Sequence, residues 1–191
     1  MLGLRCGVYR ESMSAATVWN QPTVVVITGL PGTGKSTLAE GLARAVGAPA
    51  FSVDWLLGAI APSGVLDGAE RAVVQGIYER LLGSLFVRQL MLGQSAVLDC
   101  IAGDVIISQW SAIARQHAGR LVTIECVCSD ESLHRSRVEG RNRNIPGWHE
   151  IDWSHVEFMK NEIEPLHIPH LRIDAVETAE VNLRRVLREL G

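Results

Sequence analysis

Gly29-Leu30-Pro31-Gly32-Thr33-Gly34-Lys35-Ser36 satisfies the pattern G-x-x-x-x-G-K-[ST] at every fixed position. Its three glycines let the main chain wrap closely round an anion, so that consecutive N–H groups converge on polyphosphate oxygens. Lys35 has the reach to meet β- and γ-phosphates, and the Ser36 hydroxyl is a hard oxygen ligand for Mg²⁺. Thr37 adds a second hydroxyl in what is expected to be the first turn of a helix. The chemistry announced by Gly29 through Thr37 is the binding of a nucleoside triphosphate together with Mg²⁺, with ATP the expected nucleotide and GTP left open by the motif.

Two carboxylates and an arginine group extend that chemistry. Asp99 closes the apolar run Ala96-Val97-Leu98 in the manner of a Walker B aspartate, and with Ser36 it forms the expected metal site. Asp54 follows Ala50-Phe51-Ser52-Val53, where a phosphoryl-transfer enzyme needs a group near the acceptor hydroxyl, as base or substrate ligand. Asp is also a favoured N-cap, so Asp54 is open to a capping role before Trp55-Leu56-Leu57. Arg135, Arg137, Arg141 and Arg143 place four of the 18 Lys and Arg residues in one short segment. Arg137 and Arg141 are four apart and would share a helix face, offering positive charge to a moving phosphoryl group. With Lys35 and Asp54 they make up the expected catalytic set. Trp148, His149, Trp153 and His155 follow, open equally to an acceptor pocket or to packing.

These residues need a scaffold. Thr23 to Thr28 is β-branched and apolar, the pattern of a buried parallel strand, and Ser36 to Val46 has apolar residues at helical spacing, so the glycine-rich segment falls between strand and helix. Further strands are expected at 50–53, 95–99, 120–128 and 171–174. Helices are expected between them: one or two over 69–92, one capped by Asp104 and reaching about His117, one over 130–140, one over 154–162, and one over 177–190. Such alternation predicts an α/β fold with a parallel sheet covered on both faces. Ligands then bind beyond the carboxyl ends of the strands, the edge that Asp54 and Asp99 would share with the glycine-rich loop.

The 191 residues, 47% of them hydrophobic, favour one domain over 21–191, preceded by a poorly ordered arm over 1–20 and carrying an arginine-bearing lid at about 137–152. Gly140, Pro146 and Gly147 would let that lid hinge and exclude water. A net charge of −3 gives no general basic field, so a nucleic-acid partner is not expected. No apolar run approaches the length of a membrane span, and a cytoplasmic protein is expected. Cys6, Cys100, Cys126 and Cys128 lack metal-ligand spacing and read as free thiols.

The phosphate loop, the position of Asp54, the Asp99 strand and the Arg137/Arg141 pair together resemble the small P-loop kinases. That group includes gluconate, adenylate and shikimate kinases, chloramphenicol phosphotransferase, zeta toxins and the kinase domain of polynucleotide kinase. The likeness covers roughly 23–190 and implies a three-layer P-loop NTPase fold with strand order 2-3-1-4-5. Phe51-Ser52-Val53-Asp54 is most similar to chloramphenicol phosphotransferase, which implies a base role for Asp54. Several relatives that act on phosphate-bearing or nucleic-acid acceptors carry an arginine three residues after this aspartate. This chain has Leu57 there, a departure that counts against such acceptors.

The function expected is ATP- and Mg²⁺-dependent transfer of a γ-phosphoryl group to a hydroxyl of a small molecule. The alternative is a nucleotide-binding regulatory ATPase or switch. Against the alternative, the chain has no Asn-Lys-x-Asp guanine-reading motif, and Cys100, not glutamate, follows Asp99. The acceptor and the oligomeric state are not encoded in any motif.

Overall fold

A computed structural model describes residues 19–191. Strand β1 (Thr23–Thr28) is buried along its whole length, because it runs between two parallel neighbours and beneath helices on both faces. The neighbours are β3 (Ala96–Asp99), with Val26 opposite Leu98, and β4 (Arg120–Val127), with Val26 opposite Thr123. β2 (Ala50–Ser52) and β5 (Leu171–Asp174) complete a five-stranded parallel sheet of order β2-β3-β1-β4-β5. This is the expected order.

Side-chain alternation along β1 divides the core. Val25 and Ile27 face α1 (Lys35–Val46) and α7 (Ala179–Leu190), packing with Leu38, Leu42, Val186 and Leu190. Val24 and Val26 face the layer formed by α2 (Val53–Ile60), α3 (Arg71–Met91) and α4 (Asp104–Gln116). Phe86 of α3 meets Trp110 of α4 edge to face, ring centres 5.9 Å apart. Helices α5 (Glu131–Glu139) and α6 (Trp153–Glu162) lie between β4 and β5 in sequence. Each has a side-chain cap: Asp130 accepts from the Leu133 N–H and Asp152 from the His155 N–H, both at 2.9 Å.

Of the one or two helices expected over 69–92, a single one forms, α3, as that expectation allowed. Several local expectations need correction. Gly103 caps α4, and Asp104 accepts instead from the N–H groups of His167 and Ile168, tying the chain before β5 to that helix. β2 ends at Ser52, so Asp54 sits in the first turn of α2, and the N-cap is Ser52 rather than Asp54. Helix α5 ends at Glu139, so Arg137 and Arg141 do not share a helix face. Of the arm expected over 1–20, residues 1–18 lie outside the described residues, and Trp19 is buried against the α1 and α7 layer. Cys100 and Cys126 are buried free thiols, Cys128 is half-buried beyond the end of β4, and Cys6 lies outside the described residues. Burial pushes the Cys126 thiol up to about 12. Among the described residues no helix is long and apolar enough to cross a membrane.

Candidate functional site

β1 delivers the glycine-rich segment to the carboxyl edge of the sheet, and the loop's geometry depends on missing side chains. Gly29, at φ 134°, passes so close to the Cys126 carbonyl of β4 that a Cβ would collide with it. Gly34, at φ 80°, is the N-cap of α1 and brings Lys35 and Ser36 into its first turn. Thr33 Oγ1 donates to the Leu30 carbonyl at 2.7 Å, and Lys35 Nζ donates to the same carbonyl at 2.9 Å. Lys35 is therefore not a solvent-facing side chain. Burial lowers its pKa, while the Asp99 and Asp54 carboxylates oppose that shift.

Asp99 is buried at the end of β3. Burial raises its pKa, and Lys35 with the hydroxyls of Ser36 and Ser52 acts the other way. A carboxylate beside a serine hydroxyl, both hard oxygen donors, is a set suited to Mg²⁺ or to a water on it. Thr37 follows on α1 and is exposed.

The segment between α5 and α6 reaches this edge. Arg143 forms an ion pair with Asp54, joining the segment to the first turn of α2. Its backbone N–H donates to Glu150 Oε1 at 2.7 Å. Glu150 Oε2 lies 3.5 Å from Arg141 Nε and 3.9 Å from Arg143 Nε, yet neither buried Nε has a well-aligned hydrogen-bond acceptor. Burial lowers the Arg141 pKa, helped by Arg143 and opposed by Glu150 and Asp54. The segment crosses α2 in close contact: a Cβ on Gly58 would lie 2.6 Å from the Pro146 carbonyl, and one on Gly147 would strike the Gly58 carbonyl.

Arg137 points elsewhere. Its Nη1 donates at 2.8 Å to the carbonyl of Ala175, just after β5, and so lies on the α7 side of the loop. Arg135 pairs with Glu139 on the exposed face of α5. Trp153 is buried with Val138 and Val156, whereas Trp148 packs partly on the α2–α4 layer with the His149 ring 4.9 Å away. His155 is exposed, 6.4 Å from the Phe158 ring. Leu57 is buried in the core, so α2 offers no charge from that position to an acceptor.

The geometry thus gathers Lys35, Ser36, Asp99, Asp54, Arg141 and Arg143 round one strand edge, with Arg137 to one side. A family profile described as an AAA domain matches residues 24–166, from β1 through α6. The chain belongs to that AAA-domain family.

Among similar proteins, an uncharacterized protein of Mycobacterium tuberculosis (strain H37Rv) is 36% identical over 103 residues, which is 50% of this chain and 20% of the relative. The chain thus spans about a fifth of the length of the curated relatives it matches. A gluconokinase from Sinorhizobium meliloti 1021 superposes with a TM-score of 0.67 at 18% identity, over 88% of this chain and 91% of its own. The APS kinase CysC of Mycobacterium tuberculosis, solved with AMPPNP and APS, gives 0.60 at 16% identity, over 88% and 98%. The AAA-domain chain therefore has a P-loop kinase fold, with the 2-3-1-4-5 sheet and helices on both faces.

Three features of this AAA-domain site escape a reading by motif. Arg143, not Arg141, makes the pair with Asp54. Glu150 braces both arginines from seven residues beyond Arg143, within a segment that forms neither helix nor strand. His134 is buried against the phosphate loop, its Nε2 2.7 Å from the Pro31 carbonyl. The signal for His134 is its place four residues before Val138, the other buried position on a charged helix.

Proposed function

We propose that this protein is an ATP- and Mg²⁺-dependent phosphotransferase that moves the γ-phosphoryl group to a hydroxyl of a small molecule. The observation that carries this reading is the convergence of Lys35 and Ser36 of α1, Asp99 of β3 and the Asp54–Arg143 pair at the carboxyl edge of the sheet. The AAA-domain membership and the likeness in fold to a gluconokinase and an APS kinase agree with it.

In this reading the N–H groups from Gly29 to Thr37 and the Lys35 ammonium hold the triphosphate. Ser36 and Asp99 would hold Mg²⁺ directly or through water. A cation held there would supply charge neutralisation for the phosphoryl group being transferred. Arg141 and Arg143 enclose the transferring group from the α5–α6 segment and exclude water, while Arg137 supports the nucleotide from the α7 side. Asp54 receives or orients the acceptor hydroxyl as the new O–P bond forms. Its partner Arg143 fixes its position, and an arriving acceptor replaces part of that contact. The absence of a positive charge at Leu57 favours an acceptor hydroxyl on a molecule without a phosphate next to it.

The test combines calorimetry with turnover. Purified protein should bind Mg²⁺–AMPPNP, and ATP consumption should rise above the solvent-hydrolysis background with one class in a panel of sugars, polyol acids, nucleosides and aminoglycoside-like alcohols. Nucleotide binding with no acceptor-dependent turnover, but hydrolysis stimulated by a protein partner, would replace the phosphotransferase with a regulatory ATPase.

A further inference from the structure

His134 lies on α5 and is 2% exposed. Its Nε2 is 2.7 Å from the carbonyl oxygen of Pro31, inside the glycine-rich loop and 103 residues away in sequence. The ring stands edge-on to Trp153, centres 5.1 Å apart at 90°, and Lys160 covers that indole at 4.6 Å. Gly32 faces the same helix: a Cβ there would come within 2.5 Å of a Val138 methyl and 3.1 Å of the His134 ring. The loop is therefore seated on α5 at two consecutive residues, by one polar contact and one steric fit.

A carbonyl oxygen only accepts, so His134 Nε2 carries the proton in this contact. Burial lowers the pKa of the imidazole, which accords with a neutral ring protonated at Nε2 alone. The Pro31–Gly32 peptide is planar and trans, so its C=O and N–H point in opposite directions. Fixing the oxygen on α5 aims the Gly32 N–H away from α5, to the concave side where a phosphate would lie.

We propose that His134 is a positioning residue for the phosphate loop: by anchoring the Pro31 carbonyl it orients the Gly32 amide toward the nucleotide phosphates. The inference rests on the nucleotide-binding reading above. Without the anchor, the Pro31–Gly32 peptide samples other orientations, and apparent affinity falls with the fraction of loops held ready. The effect is specific to ligands with a polyphosphate tail, because adenosine does not meet the Gly32 amide.

Two nearly isosteric replacements separate the hydrogen bond from the packing. His134→Gln keeps an N–H donor at comparable reach, and His134→Met fills similar space without one. Calorimetry with Mg²⁺–AMPPNP should show the Met variant weakened about tenfold, a fold-change typical of one lost hydrogen bond, and the Gln variant close to wild type. Adenosine affinity should be equal in all three. Equal AMPPNP affinity in the Met variant and wild type overturns the proposal. So does an equal loss in both variants accompanied by lower melting temperatures, which would mark His134 as packing alone. Nitrogen-15 NMR of the wild-type imidazole provides an arm without nucleotide: Nε2 should be protonated and Nδ1 bare, and the Gly32 amide resonance should shift in the Met variant. A bare Nε2, or an unmoved Gly32 resonance, overturns the anchor. A wild-type protein that shows these NMR features but binds no AMPPNP would instead remove the nucleotide reading, leaving the anchor in place.

Discussion

Arg143 and Asp54, 89 residues apart in sequence, are joined by an ion pair that ties the α5–α6 segment to the first turn of α2. Both side chains are largely shielded, at 19% and 29% exposure, so the pair is less screened by salt than a surface contact. If Asp54 is the acceptor's base, Asp54→Asn should leave AMPPNP affinity unchanged and cut transfer by about 10² to 10⁴. Arg143→Ala should also lower kcat. Because the two act through one contact, the double variant should lose less than the product of the single losses. Multiplicative losses in steady-state kinetics would show that the two residues work independently.

Lys35→Ala should do more than abolish productive nucleotide use. Asp99 is buried, and Lys35 is the charge that most favours its ionised form. Removing the ammonium should raise the Asp99 pKa further and lower the melting temperature at neutral pH. Asp99→Asn introduced into Lys35→Ala should recover part of that stability without recovering nucleotide binding. Thermal melts of the two variants check the claim.

Gly58→Ala separates helix propensity from docking. In an isolated helix the change favours α2 by about 1 kcal/mol. Here the new methyl would stand 2.6 Å from the Pro146 carbonyl, with the Ile145 and Trp148 side chains at 3.2 and 3.3 Å closing the remaining space. The expected outcome is displacement of the 140–152 segment and loss of the Asp54–Arg143 coupling, with the sheet intact. Turnover should therefore fall while circular dichroism stays that of wild type.

Asp174 gives the clearest acid response. Its Oδ1 accepts from the N–H groups of Ser129 and Val176 at 3.1 Å each, joining the ends of β4 and β5. Hydrogen bonding from Ser129 holds its pKa below the ordinary 3.8. A carboxyl depressed in the folded state contributes stability above its unfolded pKa and loses it as pH falls through the folded value. Asp174→Asn should thus lower the melting temperature at pH 7 and narrow its gap to wild type below pH 3.8. A constant gap across that range would assign the effect to shape alone.

The sheet was legible in the sequence because β-branched runs and a fixed loop pattern report local physics. Thr23 to Thr28 has to be buried on both faces, and the order of strands follows from the family resemblance. The corrections fall where a local rule met a tertiary competitor. Asp104 has the residue type of a cap, but the backbone before β5 claims its carboxylate. Arg141 is four residues from Arg137, but Gly140 follows the end of α5, and spacing along a helix has no meaning past that point. Arg143 and His134 are fixed by contacts across long stretches of chain, and Glu150 by contacts within a segment without regular structure, and for neither does a single sequence carry a period.

β1 has a further consequence for dynamics. A strand enclosed on four sides can release its amide protons to solvent only when the whole molecule opens, so Val24 to Ile27 should be among the slowest to exchange. The chain from Gly140 to Asp152 has no ladder of its own and should exchange through small local openings. The strand edge should thus stay fixed on the timescale at which the 140–152 segment fluctuates, which in the proposed phosphotransferase would let ligands enter and leave without disturbing the surface that grips them.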